Sequence, residues 1–260
     1  MRTCVATILM FSSMWSVAAP IVGAGSCEVR SGPRTAALIE LYTSEGCSSC
    51  PPADQALGKL RELLGADAEG FGLALHVDYW DYIGWRDPWA QEIFSERHRR
   101  LVSANHHDVV YTPHFFVNGI EMPPGQSALH DEVRELNAQR AQAQIQLSAG
   151  STSAGTVTLD ISAQSDANIG SPALYIVVSE NGLVSNVRRG ENAGRTLRHE
   201  HVARTWIGPI ALHNGAITVH RELPLPDRGS GARWELTAFV EDERTGKVVQ
   251  ALGLQPCTTF

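Results

Sequence analysis

The residues with the clearest capacity for chemistry are Cys47 and Cys50, which stand three apart in the stretch LYTSEGCSSCPPAD (41–54). A thiolate can attack a disulfide sulfur, and a second thiol nearby can then resolve the mixed disulfide. The pair predicts a redox centre in which Cys47, expected to be exposed, attacks and Cys50 resolves. The same spacing also suits a static disulfide, although a loop this small gives little stabilisation, or part of a metal site.

The segments on either side of the pair must position it. The apolar run TAALIELYT (35–43) predicts a buried strand, and DQALGKLRELL (54–64) spaces its leucines at helical intervals. Pro51 and Pro52 follow Cys50 directly, and proline fits best in the first turn of a helix. The regular helix is therefore predicted to begin near Pro51, with Cys50 as its N-cap.

Residues 35–143 are predicted in the order β-α-β-α-β-β-α, with Asn118-Gly119 as the turn of a hairpin and Asp87-Pro88 as a helix start. This order, with a CxxC between the first strand and the first helix, resembles the thioredoxin fold. The stretch VYTPHFFVNG strengthens the resemblance because Thr112-Pro113 stands directly before a strand. The resemblance implies a cis peptide bond before Pro113. It also implies that Pro113 is a catalytic residue together with Cys47 and Cys50, and that Thr112 is part of a substrate groove.

Beyond about residue 145 the pattern changes to short, β-branched, alternating segments separated by Gly, Asn, Pro and Asp. About seven strands and no helix signals predict an antiparallel sandwich. The predicted fold class is an α/β thioredoxin-like domain followed by an all-β antiparallel sandwich domain. The predicted boundaries are 1–24 for a signal peptide, 25–144 for the first domain and 145–260 for the second.

The segment HVDYWDYIGWRDPWA follows the second predicted strand and is dense in aromatic residues. Because it should reach the end of the sheet that carries the CxxC, Tyr79, Trp80 and Trp85 are candidates for the wall of the substrate groove. Asp78 is the candidate proton shuttle, since acids near a CxxC can transfer protons during resolution. The alternative is that these aromatic residues anchor the core or a loop.

Four stretches together resemble the DUF1223 family of exported bacterial proteins: LYTSEGCSSCPPAD, HVDYWDYIGWRDPWA, VYTPHFFVNG and GENAGRTLRHEHV. The resemblance implies a thioredoxin-like fold and no established biochemical role. In the fourth stretch, Arg195, His199 and His201 are expected on an exposed strand edge, with a contact to the first domain or a ligand surface as the alternative.

The N-terminus has the layout of a secretory signal peptide: Arg2, an apolar stretch over 5–17, and small residues before a cleavage site at Ala24. An N-terminal membrane anchor and a lipoprotein anchor at Cys27 are the alternatives. No later segment is apolar and long enough to cross a bilayer. The chain is therefore expected to be exported, periplasmic or secreted, without a membrane span once the signal is removed.

Export places the cysteines in an oxidising compartment, where disulfides persist. Cys4 leaves with the signal, and four cysteines remain. Pairing of Cys47 with Cys50 leaves Cys27 and Cys257 for a structural disulfide that ties the two ends, although each could also be free.

The net charge and the histidines limit which other classes of function the sequence can indicate. A formal net charge of −7 argues against a nucleic-acid protein, which needs basic patches. Thiol–disulfide exchange needs no cofactor, and its expected partners are protein thiols or disulfides of the cell envelope together with an unknown redox partner. The rival reading is a metal (copper) site or a binding module, because thiolate and imidazole suit Cu(I) or Zn. Its ligands would be Cys47, Cys50 and His114, without an HxxxH pair to support them.

Overall fold

The computed structural model describes residues 27–123, 128–153, 156–224 and 233–254. The predicted signal peptide (1–24) and Cys257 lie outside the described residues. The predicted structural disulfide between Cys27 and Cys257 therefore stays a prediction.

The elements of the first half alternate between strands and helices: β1 (Cys27–Arg30), β2 (Ala37–Thr43), α1 (Pro51–Gly58), α2 (Leu60–Leu64), β3 (Gly70–His76), a 3-10 helix (Asp78–Ile83), α3 (Glu92–Ala104), β4 (His114–Val117), β5 (Ile120–Glu121) and α4 (Leu129–Ala138). The described part of the second half contains strands alone: β6 (Ala143–Ser153), β7 (Thr156–Ser165), β8 (Pro172–Asn181), β9 (Leu183–Asn186), β10 (Thr196–His199), β11 (Val202–Ala211), β12 (Ala216–Pro224), β13 (Arg233–Asp242) and β14 (Lys247–Leu254).

These strands form three sheets in the described residues. The largest has eight strands in the order β14-β13-β8-β11-β3-β2-β4-β5, and a four-stranded sheet has the order β1-β6-β7-β12. The hairpin of β9 and β10 forms a small sheet of its own. The large sheet therefore contains strands from both sides of residue 145.

The large sheet is covered on both faces, which explains why its strands are almost continuously apolar. One face packs against α3 through Leu38, Leu75, Phe94, Phe116 and Phe239. The other face is covered by α1, α2 and α4 over the strands of the first half. Over the strands of the second half it is covered by the four-stranded sheet, whose Ile145, Leu147 and Ile161 face Ile176 and Leu236 in a sandwich core.

The two halves meet where β11 joins β3. Val202 pairs in parallel with Ala74, and the Ala74 N–H donates to the His201 carbonyl at 2.8 Å. The sheet thus continues from the strand that precedes the 3-10 helix directly into strands of the second half.

A buried ion cluster reinforces this junction. The Arg97 guanidinium on α3 donates from Nε to Glu40 on β2 at 2.6 Å and lies 2.8 Å from Glu241 on β13. Arg97 is only 5% exposed and stacks over the rings of Trp206 and Phe239. Arg100, on the same helix, also pairs with Glu241 at 2.6 Å. Two cations of α3 therefore neutralise carboxylates from two strands that lie on opposite sides of the junction.

The predicted fold class is wrong. Strands account for 47% of the structure and helices for 20%, and the molecule is mainly a β-sandwich with no evident thioredoxin-like α/β pattern. The alternating segments exist locally, but four of the eight strands in their sheet come from beyond residue 145. Periodicity within a segment identifies a strand or a helix, and it carries no information on which strands continue the sheet at its edge.

Two local predictions had different outcomes. Asn118 and Gly119 have φ values of 48° and 78°, which confirms the hairpin turn. The helix start at Asp87-Pro88 is wrong, because α3 begins at Glu92. The Asp87 carboxylate instead accepts hydrogen bonds from the backbone of Glu45 and Trp89.

Replacing Arg97 tests the ion cluster. Arg97→Ala leaves Glu40 buried without its cation, whereas Glu241 keeps Arg100 at 2.6 Å. Removing one partner of a buried ion pair costs about 3–5 kcal/mol. We expect the free energy of unfolding in urea to fall by that amount.

Arg99→Ala is the matched control, because Arg99 lies on the same helix and is exposed. Its expected effect is within about 0.5 kcal/mol. Equal losses for the two variants would show that the cluster does not stabilise the junction.

Candidate functional site

Cys47 and Cys50 lie in the loop that joins the end of β2 to the start of α1. Cys50 is the N-cap of α1 and the prolines occupy its first positions, which confirms the predicted helix start at Pro51. The two cysteines form a disulfide with a Cα–Cα distance of 5.4 Å. The Ala53 and Asp54 N–H groups both donate to the Cys50 carbonyl, at 2.8 and 3.1 Å. The helix therefore holds the second cysteine rigidly.

Both cysteines are buried, with exposed fractions of 1% for Cys47 and 0% for Cys50. The expectation of an exposed Cys47 is therefore wrong. The neighbouring Ser48 and Ser49 are exposed, and the Ser49 hydroxyl lies 3.4 Å from the Cys47 sulfur. The disulfide thus lies just beneath the surface, behind a rim of two serines.

The carboxylate of Glu45, two residues before Cys47, is completely buried. It accepts hydrogen bonds from the indole N–H of Trp85 at 2.7 Å and of Trp89 at 3.2 Å, and it contacts His199 Nε2 at 3.0 Å. The carboxylate therefore connects the CxxC loop to the aromatic segment and to β10. Glu45 is not among the candidate site residues that the sequence predicted.

His76 and Asp87 form a buried ion pair beside Glu45. His76 Nδ1 lies 2.7 Å from Asp87 Oδ2, and both side chains are inaccessible to solvent. Burial lowers the pKa of His76, but the Asp87 charge and hydrogen bond raise it above its ordinary value, with smaller contributions from Asp54 and Glu45. Burial raises the pKa of Asp87, but His76 and the backbone N–H donors bring it below its ordinary value. Each group therefore favours the charged form of the other.

Asp54 is a second buried acid, one helical turn after Cys50 on α1. Burial raises its pKa above the ordinary range, and the nearby His76 and His199 oppose that effect. The rings of those two histidines are 5.0 Å apart. Residues four positions apart on a helix share a face, so Asp54 is on the face of α1 that follows from Cys50.

The structure brings most of the predicted groove residues to the CxxC loop. The Trp80 indole N–H donates to the Thr112 hydroxyl at 2.8 Å, and a Cβ placed on Gly46 would lie 3.1 Å from Trp80 Cβ. Trp80 therefore lies between the CxxC loop and the Thr112-Pro113 segment, whose peptide bond is cis as expected. Tyr79 points elsewhere, with its hydroxyl 3.3 Å from His98 on α3.

Asp78, the predicted proton shuttle, is engaged away from the cysteines. The Asp78 carboxylate accepts a hydrogen bond from the Ser95 hydroxyl at 2.5 Å. The Asp78 backbone N–H donates to the oxygen of that hydroxyl at 3.1 Å. These contacts fix the start of α3. Asp54 is the buried acid that α1 carries one helical turn after Cys50, and its position in the helix sequence is the signal that could have identified it.

His114, the predicted third metal ligand, has partners other than the cysteines. Its ring lies 2.8 Å from His98 through Nδ1 and 3.0 Å from Glu121 through Nε2. Within the described residues, no group of three or more His, Cys, Asp or Glu side chains is arranged to hold a metal ion. The geometry thus offers no support for a Cys47, Cys50 and His114 site.

A loop from the second half lies over the CxxC loop. It comprises residues 187–195 between β9 and β10, and we name it the cover loop. Asn192 is fully buried and donates to the carbonyls of Glu45 and Cys47, at 2.9 Å each. The Ser48 N–H donates to the Glu191 carboxylate at 3.0 Å. This explains the burial of Cys47, and the sequence carried no signal for it.

The three polar residues predicted near this loop have different environments. His199 is buried against Glu45, which confirms the alternative of a contact with the first half. Arg195 is exposed and donates to the Asn192 side chain at 2.7 Å. His201 is half-buried and lies 2.9 Å from Glu235.

Comparison with known proteins places the whole arrangement in one family. The family model described as "Protein of unknown function (DUF1223)" matches residues 38–241. No curated protein matches the chain.

Two solved structures are similar in fold. The crystal structure of protein AGR_C_4864 from Agrobacterium tumefaciens is 22% identical with a TM-score of 0.60, and the match covers 88% of this chain and 98% of that chain. HBP35 of Porphyromonas gingivalis is 17% identical with a TM-score of 0.66, and the match covers 88% of this chain and 79% of that chain. Likeness at these identities extends to the fold alone.

None of the helices in the described ranges is both long enough and apolar enough to cross a bilayer.

The His76–Asp87 pair gives a pH-dependent prediction. Asp87→Asn removes the charge that His76 needs, so we expect the free energy of unfolding at pH 6 to fall by about 3–5 kcal/mol. The His76 contribution is complete below about pH 6.5 and is lost as the pH rises through the folded pKa, because that pKa is raised. The Asp87 contribution is present above about pH 3.9 and is lost as the pH falls, because its folded pKa is lowered. The loss in the variant should therefore be largest between these values.

Asp160→Asn is the control, because it breaks an exposed pair of the same chemistry, Asp160 with His220 at 2.8 Å. Solvent screens that pair, and its loss should cost less than about 1 kcal/mol. Urea unfolding across a pH series measures both variants. A flat pH dependence of the difference between Asp87→Asn and the wild type would contradict the assignment.

Proposed function

This chain belongs to the DUF1223 family of proteins of unknown function, and we propose that it is an exported thiol–disulfide oxidoreductase that acts through Cys47 and Cys50. The observation that carries the proposal is a disulfide at the N-cap of α1, placed over buried ionisable side chains. A four-residue loop gives a disulfide a stabilisation of roughly 2 kcal/mol, at the low end of the usual range. The pair is therefore better suited to exchange than to holding the fold together.

The exchange is balanced within the two proteins. A thiolate of the substrate attacks the Cys47 sulfur, the Cys47–Cys50 bond breaks, and Cys50 leaves as a thiolate. A second substrate thiolate then attacks the substrate sulfur of the mixed disulfide and releases Cys47. The substrate is oxidised to a disulfide, and both cysteines end as thiols. The same steps in reverse reduce a substrate disulfide.

Asp54 supports this reaction by holding a proton next to Cys50. Because burial raises its pKa, Asp54 keeps a proton at pH values at which an exposed aspartate is ionised. The protonated Asp54 can donate its proton to the departing Cys50 thiolate. In the reverse direction, the Asp54 carboxylate can accept the proton of the Cys50 thiol. The neighbouring His76 and His199 lower the pKa of Asp54 and so oppose the effect of burial.

The compartment and the partners follow from the chemistry. A disulfide persists in an oxidising compartment, which agrees with the signal-like N-terminus. The proposed substrates are protein thiols or disulfides of the cell envelope, and a separate redox partner restores the starting state of Cys47 and Cys50.

One observation favours a second function, a static structural disulfide. Both cysteines are buried, and access limits the rate of exchange. A static disulfide would not exchange with protein substrates in the folded state.

Variants of the two cysteines distinguish these functions. In insulin-reduction and scrambled-ribonuclease assays, we expect the wild type to act and Cys47→Ser to fall to the uncatalysed rate. Cys50→Ser should accumulate a mixed disulfide with the substrate, visible on a non-reducing gel, because the resolving thiol is absent.

Ser103→Ala, an exposed change on α3, is the control and should match the wild type. Equal activity of the wild type and Cys47→Ser would contradict the proposal. So would a wild type that does not exceed the uncatalysed rate.

A further inference from the structure

The cover loop makes contacts that a structural connection between β9 and β10 does not require. Two backbone hydrogen bonds join the ends of the loop. The Val187 N–H donates to the Arg195 carbonyl at 3.0 Å, and the Gly194 N–H donates to the Val187 carbonyl at 2.8 Å. The loop is therefore a self-contained unit, and its tip at Glu191 and Asn192 is free to make contacts outside the hairpin.

The tip binds three main-chain groups of the CxxC loop. The Asn192 amide satisfies the carbonyls of Glu45 and Cys47, and the Glu191 carboxylate accepts the Ser48 N–H. The hydrogen bond from Ser48 lowers the pKa of Glu191, so the carboxylate form is favoured there. Arg195 donates to the Asn192 side-chain oxygen and so fixes which end of the amide points at the carbonyls.

The tip of the cover loop also packs closely against Ile83 and Trp85. Gly190 has a φ of 75°, and a Cβ at that position would lie 3.1 Å from Ile83 and 3.4 Å from Trp85. With the loop in place, Cys47 is 1% exposed. A thiolate can reach a disulfide sulfur only where the sulfur is accessible, so this seating blocks the exchange.

We propose that the cover loop is a removable inhibitory segment that occupies the binding site of the substrate backbone, an inference that rests on the proposed function. The groups that it covers are two carbonyls and one N–H, from residues 45, 47 and 48. An extended polypeptide presents both N–H donors and C=O acceptors along one edge and can satisfy the same three groups. The substrate class is therefore an extended peptide segment around a cysteine, and its backbone displaces Glu191 and Asn192.

The first experiment measures how fast dithiothreitol reduces the Cys47–Cys50 bond in the folded protein, with thiols counted by alkylation and mass spectrometry. Asn192→Ala removes the two hydrogen bonds that hold the loop shut, so reduction should be about tenfold faster. Asn186→Ala is the matched control, because Asn186 is an exposed residue of the same hairpin that contacts Thr196. Its rate should equal that of the wild type. Equal rates for all three proteins would overturn the proposal.

Urea separates loop opening from global unfolding. Opening of a nine-residue loop exposes little surface, so the reduction rate should depend only weakly on urea in both the wild type and Asn192→Ala. A dependence as steep as that of global unfolding would overturn the proposal, since it would mean that the disulfide is reached only in the unfolded chain.

The second experiment tests the peptide backbone as the occupant. The probe is an acetylated and amidated pentapeptide with a central cysteine and four alanines, compared with its analogue methylated at the backbone nitrogens. The analogue has the same thiol but cannot donate to the carbonyls of Glu45 and Cys47, so it should reduce the wild-type disulfide several-fold more slowly. Equal rates for the two peptides would overturn the assignment of the substrate class. The wild type could prove inactive towards insulin while the dithiothreitol rates are as expected. That result would reject the proposed function, but it would still show that the cover loop opens.

Discussion

A buried negative charge directly before the cysteines organises the site. An isolated carboxylate is very costly to remove from water, so a completely buried Glu45 requires donors from its surroundings. Trp85, Trp89 and His199 supply them, and each hydrogen bond to a charged group contributes about 1.5–3 kcal/mol. Because these donors come from the aromatic segment and from β10, the position of Glu45 fixes the CxxC loop relative to both halves of the chain.

The same principle recurs at other buried charges. Arg97 and Arg100 neutralise Glu40 and Glu241 beneath the large sheet, across the two halves. Asp87 pairs with His76 next to Glu45, within the first half. Buried charges tolerate few alternative arrangements, because each needs an opposite charge or donors at a defined place. The continuous sheet, in which β11 extends β3, and these buried polar contacts together explain how a loop of the second half comes to lie on the cysteines of the first.

Sequence patterns were most informative about local structure. The proline pair after Cys50 identified the start of α1, and Asn118-Gly119 identified a hairpin, because both depend on the backbone preferences of a few residues. The fold class was wrong, because pairing of β11 with β3 depends on residues about 130 positions apart. The burial of Cys47 was missed for the same reason. Asn192 gives no sign in the sequence that its amide meets the Cys47 carbonyl. Asp78 is engaged with Ser95 instead, and the buried acid one helical turn after Cys50 is Asp54.

The Glu45 carboxylate holds the aromatic segment against the CxxC loop. Hydrogen exchange of the Trp85 and Trp89 indole N–H groups, followed by NMR in the wild type and in Glu45→Gln, measures this most directly. We expect both indole protons to exchange far more slowly than those of free tryptophan in the wild type, and to lose protection together in the variant. Exchange of either proton in the wild type at the rate of a free indole would contradict the claim.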